Sequence, residues 1–381
     1  MDIRNTLIRG LILFLLVFMF LAPLIFWLLS EKSPWSVQVI DKTVPHTNYR
    51  EHAALHWVLS NTKVINPLGN IKWNTKRDYI GYYPNRVEKP PRFRGVELQP
   101  ENLQESNLLY IADTYGVYSG DFLDESERLT HLDYSQLIYG GLNEEEVDAI
   151  VEFSQLGGSI IAEFNTFASP TWGSASRRLQ DLLGITWSGW SGRFFADLAS
   201  EREVPPWARR HWEEHYEKEW EFKGPGYLFT HEDTRIFILP VGTHISATSP
   251  KLYKKATHPL LNGVNENITF HYWIDLVYPV DPTQILAEYR FELTEDGQRI
   301  FEDFRIPETF PAVLLASRSP LRMYFAGDFS DNRISRGPYY LKWWPKLTRW
   351  SSFLRNPHGP AVFFWKFYYP LLRNIFRLTS P

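Results

Sequence analysis

Two carboxylates stand where short apolar runs end. Asp113 closes the run in NLLYIADTYGVY, and Glu163 closes the run in SIIAEF. Two carboxyl groups in unlike surroundings divide into an acid and a base, the pairing that serves hydrolysis and proton transfer. Other run ends add Asp41, Lys42 and Thr43 after WSVQVI, Tyr115 beyond Asp113, and Asn165 and Thr166 beyond Glu163. Carboxylates, one ammonium and several hydroxyls and amides facing one crevice describe a polar ligand site. The same residues also read as structure, with Asp41 and Asp113 capping turns and Glu163 paired with Lys42. WSGWSGRFF contributes Trp187, Trp190 and Arg193. Indoles stack on sugar rings and glycines let a backbone approach a ligand closely, although a Trp-rich loop packing an insertion onto the body explains the segment as well.

These groups meet only if their runs are neighbouring strands of one sheet. The sequence predicts strands at Trp35–Val44, Leu108–Ala112, Ser135–Gly141, Ser159–Phe164, Thr234–Val241, Pro311–Ser317 and Arg322–Asp328. The last two are close enough for a hairpin. Helices are expected between them. One follows Asn48, with Glu51 three residues on; one follows Asn143 with Glu146 as its capping partner and Gly157 as its stop; one covers Ser174–Gly184. Strands alternating with helices imply parallel β-α-β units and an α/β, doubly wound, mostly parallel sheet. Ligands of such sheets bind outside the carboxyl ends of the strands, which is where the candidate residues fall. Residues 84–100 read as a proline-rich loop, and 187–226 as an aromatic insertion with a helix from Pro206 to about Trp220.

The run YSQLIYGGLNEEEVDAIVEFSQLGGSIIAEFN resembles the core of class I glutamine amidotransferase-like domains, as do HPLLNGV and PAVLLASRSPLRMYFAGDFSDN. The resemblance implies a flavodoxin-like, amidotransferase-like layout over about Trp35 to Asn332. It implies no amidotransferase activity. The catalytic members carry a cysteine in the turn after the strand equivalent to Ser159–Phe164, and this chain has no cysteine. The same lack removes disulfides and thiolate metal sites. His211 and His215 are spaced i, i+4, but Trp212 stands where a zincin-type helix has glutamate, so a solvated helix face is the better reading. His271 with Asp275 is a candidate for the crevice rim. Neither a metal nor a cofactor is expected.

The ends of the chain set the expected location. Residues 10–30 are uncharged and long enough, as a helix, to span roughly 30 Å of hydrocarbon. They read as a single-pass anchor with residues 1–9 cytoplasmic and residues 33–332 an extracytoplasmic domain. Residues 332–381 hold nine Lys/Arg and no acid, and residues 1–30 contribute +1, so a net charge of −4 leaves −14 on residues 31–331. An acidic body argues against nucleic acid as a partner. Residues 333–381 are expected to lie in the interface of a lipid bilayer, with wrapping of the acidic body as the alternative. Together these features predict a membrane-bound protein that binds an envelope glycan or its precursor, or processes it. The alternatives are a non-enzymatic scaffold joining other membrane proteins and a carboxylate-dependent hydrolase using Asp113 and Glu163.

Overall fold

Buried runs of Val, Ile and Leu line up as adjacent strands. The computed structural model describes residues 3–84, 94–123, 135–334 and 336–381. In chain order the strands are β1 (Val37–Asp41), β2 (Ile80–Gly81), β3 (Leu108–Asp113), β4 (Val117–Tyr118), β5 (Leu137–Tyr139), β6 (Ser159–Ala162), β7 (Ile185–Phe195), β8 (Gly226–His231), β9 (Ile236–Pro240), β10 (Lys251–Lys254), β11 (Ile268–Thr269), β12 (Ile274–Pro279), β13 (Ile285–Arg290), β14 (Thr309–Arg318) and β15 (Leu321–Phe325). The helices are α1 (Ile3–Leu28), α2 (Arg50–Asn61), α3 (Glu144–Gln155), α4 (Gly173–Leu183), α5 (Pro206–Tyr216), α6 (Glu295–Asp303), α7 (Trp344–Arg355), α8 (Pro360–Phe363) and α9 (Tyr369–Leu378).

The central sheet has nine strands in the order β11-β10-β13-β14-β15-β6-β3-β1-β2. From β15 to β2 the ladders are parallel, and from β15 to β11 they are antiparallel. The fold is therefore α/β as expected, but the sheet is parallel over one half only. Every residue of β1, β3 and β6 is buried, as strands covered on both faces require. The β14–β15 hairpin forms as predicted. β5 does not join the main sheet; it pairs with β4 in a two-stranded ribbon. A second sheet, β12-β7-β8-β9, is antiparallel throughout.

WSGWSGRFF, expected as a loop, is part of the eleven-residue strand β7. Its glycines permit this. At Gly189, with φ of +85°, any side chain would strike the ring of His231. The α3 capping box is present: the Asn143 side chain accepts from the Glu146 amide at 2.9 Å and the Glu146 side chain accepts from the Asn143 amide at 3.1 Å. α2 differs, since Tyr49 at φ of +50° takes the cap position and Asn48 Oδ1 accepts from Arg50 N at 3.3 Å. The loop expected over 84–100 lies partly outside the described residues.

Both ends of the chain correct the sequence reading. α1 exists, but among the described residues no helix is long and apolar enough to cross a membrane. The expected anchor over 10–30 is therefore withdrawn. The α8–α9 part of the tail packs on the body, whereas α7 leaves Leu347, Trp350 and Leu354 exposed. Phe363, Phe364, Trp365, Phe367, Tyr368, Leu371, Leu372 and Ile375 belong to the main core, and a π-helical stretch, Phe364–Tyr368, joins α8 to α9. α9 also donates from Asn374 Nδ2 to the carbonyls of Leu260 and Asn262, at 2.9 and 2.7 Å.

Candidate functional site at the strand ends

Parallel strands deliver the ends of β1, β3 and β6 to one edge, so Asp41, Asp113 and Glu163 are neighbours by topology. Asp41 and Asp113 are register partners. Asp41 Oδ1 accepts from the Thr43 amide at 3.0 Å, and Asp41 Oδ2 lies 2.6 Å from His52 Nδ1 in the first turns of α2. His52 Nε2 lies 2.8 Å from the Thr75 carbonyl. Both ring nitrogens thus face oxygen atoms. Asp113 Oδ1 accepts from the Tyr115 amide at 2.7 Å. Burial, and then the nearby Asp41 charge, hold the Asp113 carboxyl well above the ordinary carboxylate range.

β15 and the loop beyond it bring two further acids, Asp328 and Asp331, and α2 brings Arg50 and Glu51. Burial and then the Asp331 charge raise Asp328; burial and then Asp41 raise Glu51. The buried Glu51 Oε2 accepts no hydrogen bond. Arg50 Nε lies 2.5 Å from Asp331 Oδ1, an ion pair set off the hydrogen-bond line. Tyr272 ties the group together: its hydroxyl donates to Asp331 Oδ2 at 2.7 Å and accepts from Arg50 Nη2 at 3.0 Å. Arg50 is thus held by Asp331 and Tyr272, and Tyr115, two residues beyond Asp113, is 38% exposed.

Glu163 is a different kind of residue. Oε1 accepts from the Tyr110 hydroxyl and, at 3.0 Å, from the Tyr368 hydroxyl; Oε2 accepts from the amides of Phe329 and Ser330 at 2.9 and 2.8 Å. Burial raises its carboxyl to about 7 against the pull of those donors. With four donors in place it latches β6 to the tail and to the loop after β15. Lys42 also points elsewhere. It is buried between Glu97 and Glu146, at 2.6 Å from Glu146, so the expected Glu163–Lys42 pair does not form.

Asn165 takes φ of +64° at the turn after β6, and its side-chain amide is no nucleophile. Its amide N–H donates to Asp275 Oδ2 at 2.9 Å. The Thr166 hydroxyl donates to the Glu163 carbonyl at 2.7 Å. Asp275, also bonded to Ser191 and Tyr324, joins the two sheets rather than the rim. His271 stacks on Phe194 at 3.9 Å, and burial lowers it to about 4. Trp190 is buried against Phe237 and Phe304, and the Trp187 ring packs on Phe167. Their indoles are packing groups, not a sugar platform. Of that segment Arg193 reaches the strand-end group, with its Cζ 5.1 Å from the Tyr272 ring.

The reading from sequence missed Arg50, Glu51, His52, Tyr272, Asp328 and Asp331. A signal for two of them was present: GDFSDN follows a strand of the same sheet, so the strand-end rule applied to β15 reaches Asp328 and Asp331. Among the described residues no group of three or more His, Asp and Glu is arranged to hold a metal ion.

No family model matches the chain, and no curated protein matches it. Two solved structures are similar in layout. A thua-like protein from Parabacteroides merdae has 11% identity and a TM-score of 0.37, with 77% of this chain and 79% of that chain covered. One from Bacteroides uniformis has 11% identity and a TM-score of 0.31, with 87% of this chain and 97% of that chain covered. The expected likeness to a membrane-anchored amidotransferase-like domain is corrected accordingly: the neighbours are thua-like proteins, and the anchor is not supported. At these TM-scores the neighbours carry no argument about activity.

Proposed function

We propose that the protein binds a polyhydroxylated ligand, a glycan or its precursor, at the mouth of the strand-end crevice. The observation that carries this is a cluster of carboxyl groups that outnumbers its cations. Asp41, Asp113, Asp328, Asp331 and Glu51 converge there, and among the described residues Arg50 is the cation paired into the group. The three carboxyls that burial raises can donate as well as accept, so the cluster favours a ligand whose groups do both. Sugar hydroxyls meet that demand, and the exposed ring of Tyr115 at the mouth offers a stacking face. The reading draws on no anchor.

Turnover is a further step of the same reading. Asp113, held protonated by burial beside Asp41, is suited to donate a proton, and Asp41 with His52 to accept one. Glu163 is spoken for by its four donors, so the hydrolase version uses Asp113 with Asp41 rather than with Glu163.

A glycan-array screen of the full chain tests binding. The expected result is a set of neutral or acidic glycans whose signal falls about tenfold or more in Asp331→Asn. An array with no hits ends the reading.

A scaffold role has its own support. Helices α1 and α7 leave large apolar side chains uncovered, among them Phe14 at 63% and Trp350 at 69% exposed. Such a face serves protein partners. Phe14→Ser with Trp350→Ser removes co-purifying partners if the scaffold reading holds, and changes nothing if the glycan reading stands alone.

A further inference from the structure

We propose that the ligand of the crevice carries an oxyanion, a carboxylate or a phosphate, and that Arg193 receives it; this rests on the glycan reading above. Arg193 lies on β7 two residues beyond Ser191, and alternate residues of a strand share a face. Ser191 uses that face to donate to Asp275 Oδ1 at 2.6 Å. The Arg193 guanidinium is enclosed by rings. Its Cζ stands 4.7 Å from the centroid of Phe195, 5.1 Å from Tyr272 and 5.6 Å from Trp273.

Rings hold a guanidinium by its face and leave its N–H edge without acceptors. Arg193 Nε is buried and donates to nothing, and among the described residues no carboxylate forms an ion pair with this side chain. Arg50 shows the contrast. It approaches the same Tyr272 ring at 5.9 Å but has Asp331 as its counter-ion. The exposed Arg333 adds to the positive field at Arg193, and Glu203 offsets it in part. A cation desolvated among rings, next to two other cations and without a carboxylate of its own, is an incomplete pair. A planar carboxylate or a phosphate completes it through paired N–H donors. The Tyr272 ring separates this cation from the Asp331 floor. One ligand that presents an anion at one end and hydroxyls at the other therefore satisfies both parts. An acidic sugar or a sugar phosphate has that form.

Titration calorimetry of the full chain tests this with four probes: glucose, glucuronate, glucose 6-phosphate and inorganic phosphate. The expected result is affinity for glucuronate or glucose 6-phosphate about tenfold or more above that for glucose, falling as salt is raised. Arg193→Gln should bring the anionic probes to the level of glucose. Arg193→Lys, which keeps the charge without the paired donors, should fall between. Equal affinity for charged and neutral sugars, or a preference that survives Arg193→Gln, overturns the inference while the glycan reading stands. Inorganic phosphate binding that Arg193→Gln abolishes, with no sugar bound, keeps the oxyanion site and removes the glycan. If Arg193→Gln does not fold, Arg193→Lys decides: an anion preference equal to that of the wild-type chain counts against Arg193. Silence from all four probes defeats both readings.

Discussion

Asp41 and Asp113 end adjacent parallel strands as register partners, and the His52 ring closes on Asp41 from the helix side at 2.6 Å. Two buried carboxyl groups side by side do not both ionise readily, because their repulsion is weakly screened away from water. Here the asymmetry is built in. Asp41 has a histidine and the Thr43 amide; Asp113 has the Tyr115 amide and the Asp41 charge beside it. Burial and the Asp41 charge therefore both favour the protonated form of Asp113.

Asp41→Asn removes the charge that, after burial, most raises Asp113. The Asp113 carboxyl should then ionise at lower pH. A buried acid raised in the folded state stabilises the fold below its unfolded pKa and loses that contribution as pH climbs through the folded value. The wild-type chain should lose stability over that climb, and the variant should lose less. The infrared carboxylic C=O band followed against pH reads the site directly. A band with the same midpoint in both proteins would break the coupling described here.

Glu163 gives a second pH signature. Its carboxyl is raised from 4.5 to about 7, burial outweighing the donors, so its share of stability is complete below pH 4.5 and shrinks towards pH 7. The loss is on the order of 3 kcal/mol at about 1.4 kcal/mol per unit. Gln fits the same shell, its oxygen on the Phe329 and Ser330 amides and its NH₂ on the two tyrosine hydroxyls, which can turn to accept. Glu163→Gln should therefore fold, with an unfolding free energy that varies less between pH 5 and pH 8 than in the wild type. Parallel pH slopes in urea titrations of the two proteins would remove Glu163 from this role.

Local chemistry made parts of this fold legible. The α3 capping box reads directly from Asn143 and Glu146, because both partners lie within one turn. The strand ends carrying Asp41, Asp113 and Glu163 read from apolar runs that stop at polar residues. What the sequence hid depends on long-range packing. Asp331 joins the crevice only because β15 inserts beside β6, and Arg50 only because α2 opens next to β1. Lys42 sits beside the crevice in sequence, yet its salt bridges are to Glu146 and Glu97. WSGWSGRFF looked loop-like because its small residues break the apolar alternation; they make room for rings from β8. The tail's cations and tryptophans suit an interface equally well, and only the π-helical stretch that turns Tyr368 towards Glu163 shows where the rings go.

Lys42→Met tests the second buried ion pair. Glu146 is 1% exposed and raised to about 7, burial dominating and Lys42 pulling back. Removing the ammonium leaves that carboxyl and its Leu98 and Asn143 amide donors without a buried cation. Breaking such a pair costs about 3–5 kcal/mol. The deficit should grow as pH rises, since the uncompensated carboxyl is tolerated only while protonated. Urea unfolding at pH 5 and pH 8 reads both effects, and a deficit below about 1 kcal/mol at pH 8 would contradict the pairing.

The tail separates core residues from surface residues of similar chemistry. Phe367 is fully buried and packs edge-on to Phe329 at 6.0 Å, whereas Trp350 of α7 is 69% exposed. Phe367→Ala should cost about 3–5 kcal/mol, the range for emptying a buried aromatic site, and should loosen the Tyr368–Glu163 contact next to it. Trp350→Ser should change stability by no more than about 0.5 kcal/mol, since an exposed side chain gives up little on truncation. Thermal melts of the two variants give the comparison. Were the tail held in a lipid interface rather than in the core, Phe367→Ala would melt near the wild type and Trp350→Ser would be the variant that lost binding to vesicles.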